Sequence, residues 1–172
     1  LFKSYFIYIH NKIRKMENPD EKLSLDDDKV DKVDETVKIK VGNTEVNINL
    51  EKAKEFSGMV RTALSDDTKE KELELNELLI DGKTLTLIAE YINMHNTPPI
   101  IISAPLNSTK MADVTNEEDA EFIDRFGDDT TKLYNLISAA NYLDMKSLLH
   151  LCCAKVASLI KGKPLEKIKE IL

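Results

Sequence analysis

The chain has two cysteines and five glycines among 172 residues, and the glycines are scattered singly. Each scarcity removes a class of chemistry. Isolated glycines do not build a loop that cradles phosphate. The three histidines and two cysteines lack the paired spacing of a zinc site, and the acidic runs lack the Asp-x-Asp-x-Asp-Gly spacing of a calcium loop. Cys152 and Cys153 are neighbours on a predicted helix, where adjacent side chains point about 100° apart, so a disulfide between them is not expected and a reducing compartment is. No apolar run is long enough to span a membrane; the stretch Tyr5–Ile9 falls far short, and no small-residue cleavage site follows it. Basic charge is also scarce: the net charge of −7 argues against nucleic acid as a main partner. No cofactor, metal, nucleic acid or membrane is expected.

Catalytic constellations are equally scarce. His150 lies three residues before Cys153, the spacing of a conceivable nucleophile pair. On a helix the two side chains diverge by about 60°, with Cys153 on the apolar side and no orienting acid nearby. A structural role is favoured, and a thiol hydrolase using Cys153 is the weakest of three functional readings. The chain is expected not to be an enzyme.

With 42% hydrophobic and 32% charged residues, the chain can bury the core of one domain with tails. Leu1–Lys15 is apolar, aromatic and basic without an acid. It reads either as a surface-lying amphipathic segment or, preferably, as translated upstream sequence before Met16, since its residues have AT-rich codons. Residues 16–35 hold nine acids and three bases and too little apolar content to fold alone. Order is expected from Val37. Val37, Ile39 and Val41 alternate, Gly42-Asn43 forms a two-residue turn, and Val46 and Ile48 alternate on the return, which predicts a β-hairpin. A helical stretch from Glu51 offers Ala53, Phe56, Val60 and Leu64 for burial and is broken at Gly58. A charged loop, Asp66–Glu72, leads to a third short strand at Leu73 and Leu75. A helix from Asp81 carries Leu85, Ile88, Ala89 and Ile92 and ends near His95. Pro98–Asn116 has no periodicity but is apolar at Ile100–Ile102, and Thr115-Asn116-Glu117-Glu118 resembles another helix start.

Two helices then follow, about Thr131–Leu143 and Lys146–Lys161, the second closed by Gly162. Along the second, Leu148, Leu159, Cys152, Val156, Leu149, Ile160, Cys153 and Ala157 span an arc of about 180°, where a helix on one core needs only about 100°. His150, Lys161, Ser147, Ser158 and Lys155 are expected to take the remaining surface. Such a helix needs neighbours on two sides. Either both belong to this domain, or Leu148, Cys152 and Leu159 face the core while Leu149, Cys153, Val156 and Ile160 face a partner.

The same residues carry a resemblance. Leu133-Tyr134-Asn135-Leu136-Ile137, the run Ala139-Ala140-Asn141-Tyr142-Leu143-Asp144, Lys146-Ser147-Leu148-Leu149, Lys155-Val156-Ala157 and Ile160-Lys161-Gly162-Lys163 together resemble the Skp adaptor family, which joins F-box proteins to a cullin in SCF ubiquitin ligases. Elongin C, a shorter relative, is similar in the first helix only. The resemblance extends more weakly over Val37–Leu172, because the element order matches the α/β (α+β) BTB/POZ fold that the family uses. Two features depart from the family pattern. The tryptophan often found before the short helix at Glu121-Phe122-Ile123 is absent, and the proline after Gly162-Lys163 comes one place early, at Pro164.

The resemblance implies an architecture of a small three-stranded sheet with surrounding helices and a C-terminal helical pair. It divides the chain into an N-terminal extension (1–35), a BTB/POZ-like core (36–161) and the start of an F-box-binding segment (162–172). The family continues beyond Leu172, so either the chain is a fragment or its clamp on the F-box is incomplete. Carried over residue by residue, the cullin would meet Asn141 and Tyr142, with Met145 beside them. The F-box would meet Tyr134, Leu149, Cys153, Val156, Ile160 and Ile168. The implied function is an adaptor of ubiquitin-dependent degradation in cytoplasm and nucleus. The rival is a self-associating BTB/POZ or elongin-C-like interaction module, with a weak homodimer as its assembly.

Overall fold

A computed structural model describes residues 35–64, 71–99, 101–102 and 104–171. The expected N-terminal extension before Glu35, most of the charged loop after Leu64, Ile100 and the final Leu172 lie outside the described residues.

Alternating apolar residues make the predicted hairpin. β1 (Thr36–Val41) pairs antiparallel with β2 (Thr44–Asn49), with Val37 opposite Ile48 and Ile39 opposite Val46. Val37, Ile39, Val41 and Ile48 point to one face and are buried. The turn is possible because Gly42 adopts φ +55°. β3 (Glu72–Glu74) adds to the other edge of β1 in parallel, giving the order β2-β1-β3. Leu75, just beyond it, is buried and donates its N–H to the Lys40 carbonyl at 2.8 Å.

Five helix starts are written in capping side chains. Asn49 accepts from the Lys52 N–H and opens α1 (Leu50–Phe56), and Ser57 accepts from the Val60 N–H and opens α2 (Gly58–Ala63). Asp81 accepts from the Thr84 N–H to open α3 (Gly82–Met94), and that bond holds its carboxyl below the usual range. Asn116 opens α4 (Glu117–Asp124), whose first turn holds three acids near the positive end of the helix dipole. Asp129 opens α5 (Thr130–Tyr142); α6 (Lys146–Ile160) and α7 (Leu165–Ile171) follow. The expected core residues Ala53, Phe56, Val60, Leu64, Leu85, Ile88, Ala89 and Ile92 are all buried.

The result is a mixed α/β domain with a small three-stranded sheet, consistent with the BTB-like fold expected from the element order. Two parts of its interior were not anticipated. Inside the aperiodic loop, a single 3-10 turn at Met111–Asp113 buries Met111 almost completely. At the end of α3, His95 is buried against Asp119 of α4, with Nε2 3.1 Å from Oδ1. The same carboxylate accepts from the Asn116 amide at 2.8 Å, so one buried acid joins the α3 terminus to the α4 cap. Phe56, Tyr91 and Phe122 pack around this junction, Tyr91 lying 6.1 Å and 5.4 Å from the two phenylalanine rings.

Candidate partner-binding surfaces

The corner between α5 and α6 is held on both sides. Within it, Leu143 donates to the Ala139 carbonyl at 2.9 Å, Met145 to that of Ala140 at 2.8 Å, and Asp144 takes φ +51°. Across it, the junction of α1 and α2 supplies three donors. The Ser57 hydroxyl reaches the Leu143 carbonyl at 2.6 Å, the Gly58 N–H reaches that of Asp144 at 3.2 Å, and the Met59 N–H reaches that of Leu143 at 3.3 Å. Ser57 thus caps α2 with one lone pair and holds the corner with its proton. Gly58 is required by this approach: a Cβ there would stand 1.9 Å from Asp144 Oδ2 and 3.1 Å from its Cβ. In the sequence Gly58 reads only as a helix breaker. Of the three residues expected to meet a cullin, Asn141 is exposed, Tyr142 is half-buried, and Met145 is fully buried. Met145 therefore belongs to the support of the corner and not to its face.

α6 is two-faced, but its inner face is wider than expected. Leu148 and Cys152 are fully buried, and burial pushes the Cys152 thiol pKa well up. Leu151 and Ala154 join them. So do Ser147, Lys155 and Ser158, which the sequence assigns to the open surface. Each has a reason to turn inward. Lys155 Nζ meets the Asp124 carboxylate of α4 at 3.0 Å, and the Ser158 hydroxyl donates to the Lys155 carbonyl at 2.7 Å. Ser147 faces the Tyr91 hydroxyl, whose pKa burial raises and Ser147 opposes. Leu159, expected in the core, is half-buried at its margin.

The outer arc remains open. Leu149, Val156 and Ile160 are half-buried and Cys153 is exposed. Cys152 and Cys153 are both free thiols, one inside and one outside. Tyr134 is half-buried on α5 and Ile168 half-buried on α7, a helix with no buried residue. Thus α6 gathers four of the six residues expected to meet an F-box, with the other two on the helices before and after it.

Sequence reasoning missed one wall beside this arc. Ile102, Ala104, Pro105 and Leu106 border a groove of about 680 Å³ against α6, with Lys161 donating to the Leu106 carbonyl. Its only sequence signal was the apolar start of the insertion at Ile100–Ile102. His150 and Cys153 both line this groove, but no acid among the described residues does. Among the described residues no group of three or more His, Cys, Asp or Glu could hold a metal ion, and no helix is long and apolar enough to cross a membrane.

The chain is also similar to known proteins. The Skp1 family dimerisation domain matches residues 146–172, which are α6, the Gly162 turn and α7. The S-phase kinase-associated protein 1 homolog of Tetrahymena thermophila is 35% identical over 129 residues, covering 74% of this chain and 75% of that protein. The Skp1-related protein of Caenorhabditis elegans is 31% identical over 138 residues, 77% of each chain. The E3 ubiquitin ligase complex SCF subunit sconC of Talaromyces stipitatus is 30% identical over 126 residues, 73% of this chain and 77% of that protein. At these identities and coverages, the chain belongs to the Skp1 family.

Proposed function

We propose that this chain is the adaptor subunit of an SCF-type E3 ubiquitin ligase, bridging a cullin to F-box substrate receptors, without catalysis of its own, in cytoplasm and nucleus. The observation that carries the reading is the open apolar arc of α6. Leu149, Val156 and Ile160 are half-buried at the edge of the buried inner face, and the arc runs on into α7, which buries nothing. Apolar surface left in a line at the end of a domain is a docking surface. The name of the relative from Talaromyces stipitatus, an SCF subunit, supports the same reading.

The F-box contact is assigned to Tyr134, Leu149, Cys153, Val156, Ile160 and Ile168. The cullin contact is assigned to Asn141 and Tyr142, standing on the buried Met145. A tyrosine at a rigid corner offers contact area at small entropic cost. The cullin contact is assigned to the corner before α6 and the F-box contact mainly to the outer arc along it, so a double change, Asn141→Lys with Tyr142→Lys, should abolish capture of a cullin N-terminal fragment and leave F-box peptide binding intact. If both bindings vanish while the protein stays folded, the division into two surfaces is wrong. If the wild-type chain binds neither and sediments as a dimer, it is a self-associating module instead.

A further inference from the structure

The insertion between α3 and α4 is the part of the chain for which the proposed function has no use, and it ends up beside the proposed F-box face. Ile102, Pro105 and Leu106 stand on one side of the groove, and Cys153, Ala157 and Ile160 on the other. Its volume, about 680 Å³, is that of a site able to take several side-chain groups. Small residues keep it deep, and Cys153 and Ile160 belong both to it and to the arc assigned to the F-box. A helix laid along Leu149, Val156 and Ile160 therefore runs directly into it.

Charge distinguishes the occupants. The protein carries −7 overall, yet the described residues lining the groove include Lys161 and no acid. Lys161 stands at the groove's mouth, tied to the Leu106 carbonyl, with His150 exposed on the same wall. A second copy of this acidic chain is repelled as a whole, and its basic segment Leu1–Lys15 is repelled by Lys161. An apolar side chain with a carboxylate beside it fits both terms.

We infer that Ile102, Ala104, Pro105 and Leu106 form the second wall of the F-box docking surface, selecting partners whose docking segment sets an apolar side chain next to an acid. This rests on the F-box reading above and assigns to this chain's own insertion a part in choosing among F-box proteins.

The test is calorimetric titration of the full chain with two F-box peptides, one carrying Glu beside its apolar docking residue and one with that Glu replaced by Gln. Leu106→Ser should weaken both peptides about tenfold, the loss of one interface anchor, without moving the melting temperature. Lys161→Glu should weaken the Glu peptide several-fold more than the Gln peptide. If Ile160→Asp loses binding but Leu106→Ser and Lys161→Glu do not, the F-box face stands and the second wall is overturned. If no peptide binds the wild-type chain, the F-box reading itself fails. Tighter binding by Leu106→Ser would overturn the inference in the other direction, making the insertion a cover. So would dissociation of a dimer by that change, which would make a second copy the occupant.

Discussion

The corner at Asn141–Met145 and the terminal helix α7 lie at opposite ends of α6 and are built in opposite ways. At the corner nearly every polar backbone atom has a partner within the chain, three of them supplied by the α1–α2 junction, and Met145 is sealed beneath it. α7 has one reinforcing ion pair on its surface, Lys167 with Glu170 at 2.8 Å, and buries no side chain. The first is a finished surface; the second is an open one, which under the proposed function a partner completes. α6 joins them and shares both characters, sealed on the side of Leu148 and Leu151 and open on the side of Val156 and Ile160.

The largest effect that separates the two comes from beneath both. Leu151 is 1% exposed, and Leu151→Ala should destabilise the domain by about 2–5 kcal/mol through the cavity it leaves. Urea and thermal melting measure this, and every binding activity should fall with the folded fraction.

The finished surface is tested next. Gly58→Ala should cost about 1–3 kcal/mol, because the new Cβ is forced against Asp144. Adding Asp144→Gly should recover much of that loss, since it removes the colliding side chain and relieves the left-handed residue at once. Equal stability of the single and double variants would show that the approach of Gly58 to Asp144 is not what holds the corner. Ser57→Ala is the smaller version. It removes the α2 cap and the donor to Leu143, and should cost about 1–2 kcal/mol in a denaturant melt.

How much of this was legible in the sequence follows the same division. The hairpin, the helix starts at Asp81 and Asn116 and the outer arc of α6 could be read, because periodicity and capping residues are local signals. The inner boundary of α6 could not. Lys155 looks like surface until Asp124, distant in sequence, is seen to receive it, and Ser147 until the buried Tyr91 is seen beside it. His95 with Asp119 and the burial of Met111 are likewise products of tertiary contact. The second duty of Gly58 was hidden for the same reason, since a helix breaker and a close-approach glycine are spelled alike.

The open surface should show the smallest effect on the free protein. Leu165→Ser with Ile168→Ser should change stability by less than about 0.5 kcal/mol, because neither side chain is buried, while F-box peptide affinity falls. A large loss of stability in the melt would mean that α7 is already part of the core.

Ile160→Asp tests the two-faced helix most directly. Ile160 is half-buried on the open arc, one face away from Leu151. Thermal melting and F-box peptide titration on this variant should give a melting temperature close to wild type and an affinity lower by about tenfold or more. If Ile160→Asp unfolds the protein as severely as Leu151→Ala, the open arc is ordinary core and no docking surface lies there.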